Sequence, residues 1–249
     1  MRRLAKISVQ LVAVVTTLSV LGACASRQGR SDYGPSAATP MEGPALVVRP
    51  ALVAEGVLPA AAAEPRAWVG DEIGLAQERH IAHRHEAAFV YAAAAPSRIT
   101  VAGRTRTLRP GEAMFVDENV PHSHVPTCEG ITDCRDNFWE IRLARPGSKP
   151  PAGDDDVKHV FTSPTFTASD AKGTRLRFEV IQLPPGAATS FPTGDDAYLY
   201  VKRGHIAYGT TVGAREIRAG QGIPATGVTS RARNDGSEPA ELLTWRATH

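Results

Sequence analysis

Downstream of Asp71 the apolar residues come in short runs rich in Val, Ile, Thr, Tyr and Phe, cut by Gly or Pro at intervals of roughly eight to twelve residues. Such runs predict strands joined by turns, and the chain is expected to be all-β, a sandwich or a barrel. One series reads as a strand at 88–92, a hairpin at 98–108 turning on Ala102-Gly103, the turn Arg109-Pro110-Gly111-Glu112, and a closing strand through Val120-Pro121-His122-Ser123-His124. The same series returns at 197–204, in a hairpin at 205–217 with Val212-Gly213 at its turn, in Ala219-Gly220-Gln221-Gly222, and in a closing strand at 228–234. One small β unit is therefore encoded twice.

Upstream of the first copy, 45–68 is rich in Ala and Pro, and Pro50, Pro59 and Pro65 exclude one continuous helix. It is expected to be a lead-in segment or an edge strand packed on the first unit. Between the copies, 145–157 reads as a linker by composition. Its acidic run, Asp154-Asp155-Asp156, is expected to be a solvated loop rather than a cation site.

The two copies differ in their histidines. Five of the eight in the chain, His80, His83, His85, His122 and His124, belong to the first copy. On a strand, residues i and i+2 face the same side, so His83 and His85 would project together, as would His122 and His124. Neutral imidazoles converging at about 2.0–2.2 Å suit a divalent first-row metal with open positions for water or substrate. The competing reading is a set of exposed or hydrogen-bonded surface histidines.

The order of strands and turns, the segment His83-Arg84-His85 and the closing Pro121-His122 together resemble the cupin barrel. The resemblance covers about 45–249. It implies two tandem jelly-roll barrels, with His83, His85 and His122 as the metal ligands of the first; His80, His124 and Glu86 are candidates for an additional ligand. Most metal-binding cupins add a glutamate just after the His-x-His, and here that slot holds Ala88 or Phe89, neither of which can ligate. On this count the site is similar to the three-histidine sites of cysteine-dioxygenase-type cupins. In the second copy Pro184-Pro185-Gly186, Tyr198-Leu199-Tyr200-Val201, Gly204 and Asn234 keep the scaffold, but Pro192, Gly194, Ala197 and Ser230 stand at the ligand positions, so no metal is expected there. Asp195 and Asp196 are expected to cap a turn.

The N-terminus changes where such a protein would work. A basic start with Arg2, Arg3 and Lys6 precedes an apolar run at 7–23, short for a spanning helix, and then Leu21-Gly22-Ala23-Cys24. That ending resembles the bacterial lipobox, which implies cleavage before Cys24, acylation of its thiol and a lipid anchor without a transmembrane helix. Ala25 after the cysteine favours the outer membrane, facing the periplasm, under the enteric sorting rule. The composition of 25–43, Ser, Arg, Gln, Gly, Pro and Ala without an apolar period, suits a flexible tether. The expected organisation is a signal peptide at 1–23, a tether at 24–44, barrel 1 at 45–146, a linker at 147–158 and barrel 2 at 159–249.

Charge and cysteine count refine this. The chain carries 28 basic and 26 acidic residues, a formal +2. Three of the basic residues lie in the acid-free leader, so the mature chain is close to neutral and offers no basic surface for nucleic acid. With Cys24 lipidated, Cys128 and Cys134 remain, and export to an oxidising compartment points to a disulfide between them.

No phosphate loop, nucleophile elbow or zinc-finger spacing occurs. The expected function is a lipid-anchored periplasmic bicupin that binds a small molecule and a divalent metal (Fe, Mn, Zn, Ni or Cu) through the first barrel; the alternative is a metal-dependent dioxygenase, isomerase or lyase. The absence of a carboxylate near the histidines favours the binder.

Overall fold

The computed structural model describes residues 46–59, 64–74, 81–127, 138–149, 157–168, 173–191, 196–210, 213–225 and 230–248. The leader, Cys24, the tether, Glu78, His80, Cys128, Cys134, the acidic run at 154–156, Pro192, Gly194 and Asp195 lie outside the described residues.

The described residues are all-β. In chain order the first strands are β1 (Ala51–Leu58), β2 (Glu64–Ile73), β3 (Ile81–His83), β4 (Ala88–Ala92) and β5 (Ser97–Val101). Then come β6 (Arg104–Leu108), β7 (Ala113–Val116), β8 (His122–Pro126) and β9 (Phe138–Ala144). β10 (Val157–Thr162), β11 (Phe166–Ala168), β12 (Thr174–Leu183), β13 (Ala188–Phe191) and β14 (Asp196–Arg203) follow. The last are β15 (His205–Thr210), β16 (Gly213–Arg218), β17 (Gly222–Pro224), β18 (Ser230–Arg233) and β19 (Ala240–Thr248).

The repeat read from sequence is present strand for strand. The small sheet of the first barrel runs β3-β8-β5-β6 and that of the second β13-β18-β15-β16. The large sheets run β7-β4-β9-β2-β10, with β11 also on β2, and β17-β14-β19-β12-β1. The turns repeat as well. Ala102 and Gly103 have φ of 47° and 78°, the positive pair that a tight two-residue hairpin needs to match strand twist. After each hairpin the amide of Arg109 or Arg218 donates to the side chain three residues on, Glu112 Oε2 at 3.0 Å or Gln221 Oε1 at 2.8 Å. A glycine with φ of 88° or 85°, Gly111 or Gly220, makes each of these turns.

The edges of the large sheets depart from the expected boundaries. β1, expected on the first barrel, is hydrogen-bonded along its length to β12 of the second. Reciprocally, β10, which begins inside the expected linker and runs into the expected second barrel, and β11, which lies within that expected barrel, pair with β2 of the first. Each barrel thus completes its large sheet with a strand from the segment leading into the other. The exchange satisfies backbone groups that would otherwise be left on two open edges.

The large sheets pack face to face. Trp68, Phe89, Tyr91, Trp139, Ile141 and Phe161 of the first meet Phe178, Tyr198, Tyr200, Leu243 and Trp245 of the second in one cluster. Trp245 lies parallel to Phe178, 5.6 Å between ring centroids, and against Phe161 at 4.7 Å. All seven residues of β9 are buried because one face looks into this cluster and the other into the first barrel. The interior of the second barrel is filled with apolar side chains, among them Ile181, Phe191, Leu199, Val201, Ile206 and Leu242. Ala197 and Ser230 are buried there. Asn234 ties its end, its amide donating to the carbonyls of Leu183 (2.7 Å) and Glu238 (2.8 Å).

Candidate metal centre in the first barrel

The first barrel is apolar at one end only. Ile73, Val90, Ala92, Ile99, Leu108, Val116 and Phe138 pack together as its floor. Above that floor β8 lies between β3 and β5, with His122 opposite His83 and His124 opposite Ile81. Strand alternation turns both β8 histidines inward, and the register brings His83 to them, with centroid distances of 4.4 Å to His122 and 5.1 Å to His124. His85 follows β3 in a bend, its carbonyl accepting the Asn119 amide at 2.8 Å, and its ring lies 4.5 Å from that of His122. His124 stacks on Phe138 of the floor, 4.4 Å between centroids with planes 7° apart.

The carboxylate that the cupin resemblance sought at Ala88 or Phe89 comes from the neighbouring strand. Phe89 faces the second barrel, and Ala88 lies across the ladder from Arg142. Glu140 on β9, opposite Val90, is fully buried and reaches the imidazoles: Oε1 lies 3.2 Å from His83 Nε2, 3.7 Å from His122 Nε2, and against His85 Nε2. Ligand atoms of His83, His122, His124 and Glu140 all lie within 4.8 Å of one another. Glu140 is absent from the residues that sequence motifs singled out. Its signal was a charged residue inside the apolar run Phe138-Trp139-Glu140-Ile141, where a buried carboxylate must find a partner.

The hydrogen bonds fix which nitrogens are free. His122 Nδ1–H donates to the Val120 carbonyl at 2.9 Å and His85 Nδ1–H to the Glu86 carbonyl, leaving each Nε2 directed toward Glu140. Five buried atoms of this cluster have no hydrogen-bond partner among the described residues: Nδ1 of His83, Nε2 of His122, both nitrogens of His124, and Oε2 of Glu140. Orphans of this kind cost about 1–3 kcal/mol each. A divalent transition metal ion takes up imidazole nitrogen and carboxylate oxygen lone pairs, so these donors fit one.

The electrostatics agree. Burial alone would raise the Glu140 carboxyl, but contacts from His122, His83 and His85 hold it well below the usual carboxylate range. Burial lowers His124 to about 3, so that ring is neutral. Burial also works to lower His85, yet Glu140 outweighs it and the ring is raised.

Of the additional candidates, Glu86 does not join the cluster. Its carboxylate accepts from Arg142 Nη1 at 3.4 Å, as part of a layer above the histidines. In that layer Arg142, 1% exposed, also pairs with Asp71 at 2.7 Å and donates to the Lys149 carbonyl at 3.1 Å. Asp71 in turn accepts from His159 at 2.9 Å. The barrel mouth opens beside His85 into a cavity of about 270 Å³.

No protein-family model and no curated protein matches the chain. Solved structures do. A point mutant of Bacillus subtilis oxalate decarboxylase superposes with a TM-score of 0.50 at 12% identity, over 83% of this chain and 79% of that one. AerE from Microcystis aeruginosa gives 0.48 at 13% identity, over 82% and 98%, and a cupin 2 conserved barrel domain protein from Leptotrichia buccalis 0.40 at 12%, over 82% and 90%. Together with the doubled sheet order, the first of these likenesses establishes the architecture: this chain has the two-barrel fold of the cupin superfamily.

Proposed function

We propose that the first barrel binds one divalent transition metal ion and presents it to a small molecule entering by the mouth. His83, His122 and Glu140 are the central ligands, with His85 on the mouth side and His124 on the floor side completing the donor set. The observation that carries this reading is the set of buried, unpartnered nitrogen and carboxylate atoms facing one another. When bound, the ion would supply Lewis-acid or redox chemistry at a dry site. The protein's own part is to orient the His85 and His122 imidazoles through their Nδ1 hydrogen bonds, to hold Glu140 ionised and to exclude water below His124. Metal content by mass spectrometry tests the proposal: about one equivalent per chain is expected, lost when His83 and His85 are replaced together by Ala. Two equivalents, or retention in the double variant, would refute it.

Binding without turnover is the primary reading. Glu140 favours a second, metal-dependent enzyme, because it supplies the carboxylate whose absence from β4 argued against catalysis. Multiple turnovers of a small substrate, lost in His122→Ala, would select the enzyme. Export and lipidation complete the proposal: the lipobox-like sequence before Cys24 supports acylation there, and Cys24→Ala is expected to abolish detergent partitioning. The oxidising compartment that export implies supports a Cys128–Cys134 disulfide, which two reactive thiols in the unfolded, nonreduced protein would disprove.

A further inference from the structure

We infer that the mouth of the first barrel is a subsite for a small oxyanion, a carboxylate or phosphate group, held by Arg84 and Lys149 beside His85. The inference deepens the metal reading, since the anion would be delivered to the metal. The cavity of about 270 Å³ has room for a compact molecule, and His85 of the histidine cluster forms part of its wall. Its lining carries three cations, Arg84, Arg145 and Lys149, and one acid, Glu86.

The partners of these charges set the balance. Glu86 reaches Arg142 at 3.4 Å, a guanidinium it shares with Asp71 at 2.7 Å, and is the one acid set against the cations of the lining. Arg145 is engaged by Glu118 at 2.7 Å and Glu64 at 3.0 Å. Arg84 and Lys149 have no acidic partner among the described residues. Two uncompensated cations therefore flank the way to a site whose divalent ion would exceed the single negative charge of Glu140. Cations converging at a concave entrance raise the local concentration of anions and disfavour neutral or cationic molecules.

The backbone that carries the cations is held in place by the barrel itself. The Lys149 carbonyl accepts from Arg142, two residues along β9 from Glu140, so the segment bearing Lys149 is fastened to the strand bearing the candidate ligand. Arg84 sits between His83 and His85, and the Asn119 amide anchors that bend through the His85 carbonyl. Asn119, itself in the left-handed region with φ 61°, adds a polar side chain to the lining. Charge-assisted hydrogen bonds from a guanidinium and an ammonium match the oxygens of a carboxylate or phosphate.

The test uses the full chain in detergent, with and without cobalt(II), and three probes: succinate, inorganic phosphate and the neutral isostere succinamide. Calorimetry is expected to show saturable binding of succinate or phosphate that weakens as salt is raised, with succinamide at least about tenfold weaker. Arg84→Gln with Lys149→Gln is expected to weaken the anion by roughly tenfold or more while cobalt uptake stays at the wild-type level. A preference for succinate assigns a carboxylic acid, and a preference for phosphate a phosphoryl compound. Protein that takes up no cobalt but binds either anion in an Arg84- and Lys149-dependent way refutes the metal reading and supports the subsite. Equal binding of succinamide, unchanged binding in the double variant, or no binding of either anion overturns the inference.

Discussion

Glu140 decides what the histidine cluster can do. As an ionised carboxylate buried among imidazoles it is a metal ligand or a structural burden, and one substitution separates the two. Glu140→Gln keeps shape and hydrogen-bonding capacity but removes the charge. It is expected to weaken metal affinity by at least about tenfold while the β-sheet circular dichroism is unchanged; an unchanged affinity would remove Glu140 from the ligand set. His124 poses the complementary question, because both its nitrogens are buried without a partner and its ring lies flat on Phe138. His124→Leu should stabilise the metal-free protein by about 1–3 kcal/mol in urea unfolding and also weaken metal uptake. A variant that binds metal normally would make His124 part of the floor alone.

At the level of the element, β9 carries the site and the charged layer above it on one face and the inter-barrel core on the other. Its Arg142 is matched to Asp71, both 1% exposed. Breaking such a pair leaves a buried charge alone, whereas replacing both partners removes the desolvation cost as well. Arg142→Met is therefore expected to cost about 3–5 kcal/mol in denaturant unfolding, and Arg142→Met with Asp71→Leu to recover most of it. A double variant no more stable than the single one would show that the layer is held by Glu86 and the Lys149 carbonyl and not by the pair. The lead-in strand shows the limit of local reading. Its apolar residues and prolines announce an edge strand, but a strand offers the same backbone groups to any open edge. Close packing contributes to the choice of β12: Gly56 passes directly against the Phe115 ring of the first barrel while β1 is hydrogen-bonded to the second.

For the whole molecule, the exchanged edges and the shared aromatic core predict that the barrels fold together. Cutting the chain at residue 147 would remove β10 and β11 from the first sheet and expose Trp68, Phe89 and Trp139. The full mature chain is expected to unfold in one calorimetric transition, and fragments ending at 146 or starting at 159 to be insoluble unless co-expressed. Two resolved transitions, or a soluble and folded first fragment, would contradict this. What the sequence determined alone is the material that depends on neighbours along the chain: strand alternation, the glycine turns at Gly103, Gly111 and Gly220, the doubled order of elements, and the i, i+2 pair His122 and His124, whereas His85 leaves the strand that ends at His83. These follow from backbone sterics and the two-residue period, which act locally. Only the tertiary structure decided that Glu140 stands where β4 has no carboxylate, that Glu86 turns to Arg142, and that each barrel borrows an edge from the segment before the other. Adjacent strands bring residues far apart in sequence to within a few ångströms, so a ligand can be supplied from either side of a ladder, and no spacing along one strand records which side supplies it.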